Sequence, residues 1–493
     1  MSKVTIARRS LLKFAAAFSL ATTGMTKWAI ARDLSSAARP EALAAFTGEI
    51  ITRGNPAYLS WFWAMTWYRS KVERYPAMFV QPLNKVDLAL VVNYANDNGL
   101  RLTIRSSGHN ITMPCLEADA IMIDMSRFDG IEIDGASKTG WVGPGALSEH
   151  INEKAFALGL SFPSAHTGFV TVGGFLLGGG MAWNMPAWGM GAGSILGAEV
   201  MLADGRVVMV SETENPDLYW AMRGVGPGFF VIVIQFHIQL YDAPVAVKNS
   251  YFIGLDNLET AVAECLRLLP ASNNRTEVLG ALGKFNPPGT PKEEETWHWV
   301  LTLMSFGKTH EDALEAARVF TESALPGLAK ANPATNVPLT YMDMFSQLST
   351  DGYSEFRTSE VALFTDEPAK ALRTTLEFLS NEAVDARSFG FSVLGTNPTV
   401  PEPASFTYAA PHYLSWYLMG NGNEEVEKNN ALMHKMHDAL KPLIKGYYIN
   451  EIDLNVFPDM ARDCFSQEKW DKLVAVRKAY DPNRLFHSYL DRA

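Results

Sequence analysis

Two runs of small residues carry most of the chemistry this chain can do. Arg105, Ser106, Ser107, Gly108, His109 and Asn110 follow directly on a short apolar run at 102–104. Small residues after a strand let successive backbone N–H groups turn toward an anion, which is the geometry of a phosphate-binding nest. The second run, at 165–193, holds Gly168, Gly173, Gly174, Gly178, Gly179, Gly180, Gly189, Gly191 and Gly193. A solvated linker would not interleave Val170, Val172, Phe175, Leu176, Leu177, Trp183 and Trp188 among its glycines. Glycine among large apolar residues marks backbone pressed closely against something else. Together the two runs suit an extended diphosphate cofactor lined from both sides. The spacing is not the G-x-G-x-x-G of a dinucleotide-binding βαβ unit. No G-x-x-x-x-G-K-[ST] loop and no G-x-S-x-G elbow occurs. Cys115, Cys265 and Cys464 form no metal-ligand pair and allow at most one disulfide, so no metal site is expected.

The elements that must position these residues alternate between strand and helix. Strand patterns fall at 78–80, 102–104, 120–123, 130–133 and 140–142, with amphipathic helices at 85–98 and 147–158. Residues 32–70 read as helical and then as an aromatic cluster of Trp61, Phe62, Trp63, Trp67 and Tyr68, whose first role is core packing and whose second is a stacking platform. From 243 to 440 the glycine loops vanish. Strand patterns at 296–306 and 406–419 and helices at 258–269, 310–325, 368–379 and 423–440 describe a sheet covered by helices.

In sequence order, these landmarks resemble the vanillyl-alcohol-oxidase, or PCMH-type, flavoproteins in their berberine-bridge-enzyme-like branch. Arg105 to Asn110 matches R-[ST]-x-G-H-[SN], and Thr167 to Gly180 matches C-P-x-V-G-x-G-G-x-x-x-G-G-G. Ala203-Asp204-Gly205-Arg206, the stretch from Asn215-Pro216-Asp217 to Arg223-Gly224, and Tyr480-Asp481-Pro482-Asn483 follow in the family's order. The likeness runs over 58–241 and returns at 447–489. It implies an α+β fold in two lobes. Residues 70–242, completed by 443–493, would be the FAD-binding domain, and 243–442 a substrate domain of antiparallel sheet covered by helices.

The resemblance also implies a cofactor and its contacts. FAD would be held by Arg105, Ser106, Ser107, Gly108, His109, Asn110, Thr167, Val170, Thr171, Gly173, Gly174, Gly178, Gly179, Gly180, Val231, Tyr448 and Asn450. His109 matches the histidine that bonds to the flavin 8α-methyl group. Thr167 stands where doubly linked members have cysteine, so the link would be through His109 only. Val170 matches a small residue that leaves room for oxygen at the flavin. Tyr448, in Tyr448-Ile449-Asn450, matches the tyrosine that takes the hydroxyl proton in related alcohol oxidases. An ordinary phenol titrates near 10, so that role needs a cation or hydrogen-bond donors on its oxygen. Glu360, Asp366 and His412 are candidate helpers, and Glu451 and Asp453 follow the motif. Three departures touch the cradle: Phe230 for a glycine, Gly193-Ser194 for Asp-Asn, and Gly168 for a proline. The activity implied is alcohol oxidation by hydride transfer to flavin N5, with O2 taking the electrons to give H2O2. A dehydrogenase using a periplasmic acceptor, and a flavin-binding protein without turnover, are the alternatives. Substrates range over oligosaccharides, terpenoid or aromatic alcohols, and amines.

Composition bounds the rest. The chain has 493 residues, 47% hydrophobic and 19% charged, with net charge −11. That excludes a disulfide framework and disorder, and it disfavours nucleic acid, which is bound through Lys and Arg. Residues 1–31 read as a twin-arginine export signal: Arg8-Arg9-Ser10-Leu11-Leu12-Lys13, an apolar run at 14–23, then Ala29-Ile30-Ala31. The run is short of the roughly 20 residues that span a bilayer, so no stable membrane anchor is expected. The expected partners are the twin-arginine translocase, a small-molecule substrate and O2 or another acceptor, and the destination is the periplasm or medium. Cleavage would remove Lys3, Arg8, Arg9, Lys13 and Lys27 and no acid, taking the charge from −11 to −11 − 5 = −16.

Overall fold

The computed structural model describes residues 39–492, apart from 288, 292–295, 347–352, 382–383, 397 and 408. The export segment at 1–31 lies outside the described residues. The first lobe holds two sheets. One contains β1 (Glu49–Thr52), β2 (Met78–Gln81), β3 (Leu102–Arg105) and β4 (Ile121–Asp124) in the order β1-β2-β4-β3. β2, β3 and β4 are parallel, and β1 joins the edge antiparallel. Parallel strands are covered on both faces, and every residue of β4 is buried.

Helix α1 (Tyr58–Ala64) follows β1, and α2 (Lys85–Asn98) links β2 to β3. Asn84 caps α2 by accepting a hydrogen bond from the Asp87 N–H, and Gly99, at φ 62°, ends it in the left-handed region. Leu88, Val91, Val92 and Ala95 form its buried stripe. The second sheet is antiparallel: β5 (Ile131–Asp134), β6 (Thr139–Val142), β8 (Ile195–Met201), β9 (Val207–Ser211) and β10 (Ile232–Gln239), ordered β5-β6-β10-β8-β9. Between them lie α3 (Ser148–Phe156), a two-residue β7 (Leu160–Ser161) paired with β11 (Tyr241–Asp242), and the short α4 (Val172–Leu177).

The second lobe is one eight-stranded antiparallel sheet. Its strands are β12 (Val245–Gly254), β13 (Thr276–Phe285), β14 (Thr296–Gly307), β15 (Ala329–Thr340), β16 (Arg357–Thr365), β17 (Phe389–Leu394), β18 (His412–Gly420) and β19 (Ile444–Ile452), in the order β15-β12-β14-β13-β17-β18-β16-β19. Helices α5 (Leu258–Leu268), α6 (His310–Thr321), α7 (Pro368–Asn381) and α8 (Asn423–Leu440) cover one face, and α9 (Gln467–Tyr480) follows β19. The other face looks at the first lobe. The C-terminus returns there: the Leu102 N–H donates to Leu485 O, the His487 N–H to Leu102 O, and the buried Asp481 carboxylate accepts from the Leu485 and Phe486 N–H groups.

Four sequence expectations shift. Residues 39–70 are not mainly helical; β1 is a strand of the first sheet, so the first lobe starts well before 70. β19 pairs with β16 and closes the second-lobe sheet, so the segment from 443 does not return whole to the first lobe. The strand expected over 406–419 begins at His412, because Pro411 has no N–H for a ladder. The helix expected over 310–325 stops at Thr321, and Leu325–Leu328, with Pro326 in its first turn, is a separate turn of helix.

Candidate active site

A cavity of about 560 Å³ lies between the two lobes. Arg105, Ser106, Ser107, Gly108, His109 and Asn110 line one wall, and Thr167, Val170, Thr171, Gly173 and Gly174 another, with Val231 beside them. The second lobe closes it with alternate residues of its sheet: Phe389 and Phe391 of β17, Tyr413 and Tyr417 of β18, Glu360 of β16, and Tyr448 and Asn450 of β19. Period-two alternation sends the β17 and β18 residues to one face, whereas in β19 a register shift against β16 lets Glu451 line the cavity along with Tyr448 and Asn450.

The two small-residue runs touch. A Cβ on Gly173 would lie 2.3 Å from Ser106 Oγ and 2.9 Å from Pro144 O, whereas one on Gly174 would meet no protein atom within 4 Å. Gly173 therefore permits the close approach, and Gly174 keeps the space open. Gly108 sits at φ 75° with its Cβ position 2.3 Å from Met65 O, a place only glycine fills. The backbone N–H groups of 106–110 have no acceptor among the described residues. His109 donates or accepts at Nδ1 with Ser107 Oγ, 3.0 Å away, and its Nε2 is buried with no partner. The ring stacks on Trp67 at 5.2 Å, so part of the aromatic start does serve the site. Burial, with Arg105 adding, pushes the imidazole down to about 4, leaving it neutral. Thr171 Oγ1 is buried and unpartnered as well. A nest of free N–H groups, an open glycine and two unpartnered polar atoms along one cavity fit a flavin dinucleotide.

Some expected contacts fall elsewhere. Arg105 is spent on structure: its guanidinium pairs with Asp124 at 2.8 Å and bonds Met65 O and Ser107 O. Gly178, Gly179 and Gly180 do not line the cavity. Cβ positions there would strike Asn450 at 2.0 Å, Met190 at 2.9 Å and Phe175 at 2.8 Å, so these glycines serve packing. Phe230, Gly193 and Gly168, the three departures from the family pattern, are all absent from the cavity wall. Phe230 is fully buried core. Of the helper candidates, His412 lines a separate smaller cavity with Pro186 and Leu266, and Asp366 faces Lys445 at the surface. Only Glu360 reaches the main cavity.

Tyr448 sits where the lobes meet. Its oxygen accepts from the Gly180 N–H at 3.1 Å, the Met181 N–H at 3.3 Å and Asn450 Nδ2 at 3.3 Å. The donors that the role requires are present, with no cation beside them among the described residues, yet the phenol is not lowered. Burial, with the Glu451 charge adding, pushes the phenol well above its ordinary value of 10, against the pull of those donors. Two features escaped sequence reading. Glu360 and Glu451 form a buried carboxyl pair, with Tyr413 and Tyr417 donating to Glu451 Oε2. His166, on the cavity wall, bonds the fully buried Glu277 at 2.9 Å. Both pairings join residues remote in sequence, so no local spacing could have found them.

A comparison with protein families matches residues 76–211 to an FAD binding domain. The chain is 35% identical over 432 residues to the FAD-linked oxidoreductase ptmO of Penicillium ochrochloron, covering 84% of this chain and 91% of that one. It is 25% identical over 439 residues to (R)-6-hydroxynicotine oxidase of Paenarthrobacter nicotinovorans, covering 84% and 90%. Its fold matches the solved structure of a berberine-bridge-like protein from Physcomitrella patens, with TM-score 0.77, 18% identity, and 91% and 97% coverage. The chain belongs to the vanillyl-alcohol-oxidase/PCMH-type, berberine-bridge-like family of FAD-linked oxidoreductases. It is an FAD-binding oxidoreductase in two lobes.

Proposed function

We propose that the protein oxidises an alcohol, taking a hydride from the carbinol carbon, and that O2 accepts the electrons to give H2O2. The observation that carries this reading is the meeting, in one cavity, of the two small-residue runs and Tyr448. FAD, when bound, supplies the hydride acceptor and the route to O2. The chain supplies position and protons. Tyr448 meets the substrate hydroxyl, and the N–H groups of Gly180 and Met181 stabilise the phenolate that takes its proton. Since that phenol rests well above 10, flavin reduction should accelerate with pH rather than level off near neutrality.

His109 is the residue for a single covalent link, supported by its neutral ring and its unpartnered Nε2. Thr167 lines the same wall and offers no second thiol. Val170 lines it too, a small side chain consistent with access for O2. Phe230, Gly193 and Gly168, the departures that favoured a flavin protein without turnover, are not among the residues that line the cavity. Export by the twin-arginine route follows from 1–31, and among the described residues no helix is long and apolar enough to cross a membrane. The test is anaerobic mixing with a panel of aromatic, terpenoid and sugar alcohols. Bleaching of the flavin, then recovery with H2O2 on admitting air, supports the oxidase. Bleaching with slow recovery in air, made fast by an added quinone, indicates a dehydrogenase. No bleaching by any alcohol refutes the reading.

A further inference from the structure

Glu360 and Glu451 lie across the β16–β19 pairing on the cavity side of the sheet. Glu360 is 4% exposed, and its Oε1 has no hydrogen-bond partner. Glu451 Oε2 takes the hydroxyls of Tyr413 and Tyr417. Burial raises both carboxyls, most strongly Glu360, while His166 pulls Glu451 back down. The groups around them explain why. Asp453, just past the end of β19, takes Arg357 at 3.6 Å, with Arg74 acting on it from farther off. His166, opposite, is held by Glu277. Tyr68, Tyr413, Tyr417 and Tyr448 are neutral phenols, each raised by burial. The arginines thus serve Asp453, and His166, which also acts on Glu451, is bonded to Glu277, so no cation faces Glu360 among the described residues. Its walls are aromatic, with Phe389 stacked on Tyr417 at 4.8 Å and Phe391 against Tyr413 at 6.4 Å. Aromatic faces and buried carboxylates both attract a desolvated cation.

We propose that the Glu360–Glu451 pair, walled by Tyr68, Phe391 and Tyr417, is a binding subsite for a protonated amine on the substrate. This rests on reading the cavity as the substrate site, and it narrows the substrate to a molecule bearing a basic nitrogen. An ammonium group gives the pair the counter-charge that the fold withholds, and its N–H donors reach the unpartnered Glu360 Oε1. The cation competes with protons for the carboxylates. Affinity therefore rises with pH until the amine itself deprotonates, near 10 for an alkyl ammonium like that of lysine.

The test is calorimetric binding to the flavin-loaded protein of benzylamine and of benzyl alcohol, near-isosteres that differ in charge, at pH 6 and pH 8. Benzylamine should bind at least tenfold more tightly than benzyl alcohol at pH 8, with a smaller preference at pH 6. E451Q, and separately E360Q, should collapse that preference, with the flavin spectrum reporting that the cavity is intact. Equal binding of the two compounds, no saturable benzylamine binding, or a preference that survives both substitutions overturns the proposal. Where one variant fails to fold, the pH-dependent preference of the unsubstituted protein decides. Failure of the flavin to bleach with alcohols would sink the oxidase reading without touching this result.

Discussion

Replacing Gly174 and Gly173 separately by alanine distinguishes a cofactor cradle from a merely close-packed loop. In α4, Gly174 has open space where a Cβ would go, so G174A costs no protein contact. Glycine to alanine within a helix gains about 1 kcal/mol, and the flavin-free protein should be at least as stable as before. The new methyl, however, occupies the cavity where the cofactor must lie, so flavin content should fall. Gly173 is the reverse case. Its Cβ would sit 2.3 Å from Ser106 Oγ and 2.9 Å from Pro144 O, and the carbonyl oxygen is backbone that cannot swing away. Overpacking of this kind costs about 1–3 kcal/mol, and it parts the two runs that form the cradle. G173A should therefore lose stability and flavin together. The assay is thermal unfolding of the flavin-free proteins alongside flavin absorbance per chain after expression. A G174A protein that keeps full flavin, or that unfolds earlier than G173A, refutes the assignment of Gly174 to the cavity wall.

Three further outcomes follow from the same geometry. His109→Ala should release its flavin on acid precipitation while the unsubstituted protein retains it, as read from the colour of pellet and supernatant. Tyr448→Phe leaves the Gly180 and Met181 N–H groups without their acceptor, at about 1–3 kcal/mol each when buried, and should slow flavin reduction by about 10²–10⁴-fold. Stopped-flow reduction against pH should also lose its rising limb in that variant; an unchanged limb assigns the proton to another group. His412 is pushed down to about 4 by burial, from 6.5. The unfolded chain thus takes up a proton below pH 6.5 that the native chain refuses until about 4. The stability tied to this residue is complete above 6.5, declines as pH falls through that window, and amounts to about 3 kcal/mol at most. Unfolding midpoints should fall less between pH 7 and pH 4.5 in His412→Asn, which keeps an acceptor for the Gly395 N–H.

The sequence was most legible where structure is local. The helix at 85–98 was readable to the residue because Asn84 caps it, Gly99 stops it and its apolar stripe has helical spacing. The segments that line the cavity, 105–110 and much of 167–174, stood out because they concentrate small residues at nearby positions. β1 was not, since the four residues Glu49–Thr52 are too few to establish a period, and they gain their place only by pairing with β2. Gly178, Gly179 and Gly180 misled for the opposite reason: close packing against Asn450, Met190 and Phe175 demands glycine just as a ligand does. The Glu360–Glu451 and His166–Glu277 pairs depend on strand register and on how the lobes meet, which no short motif encodes.

The central claim is that this cavity holds FAD, linked to the chain through His109. The visible spectrum of the purified protein before and after acid precipitation tests it most directly. The expected result is a flavin spectrum at one FAD per chain, with the colour remaining in the precipitate. A colourless protein that takes up no added FAD would contradict it.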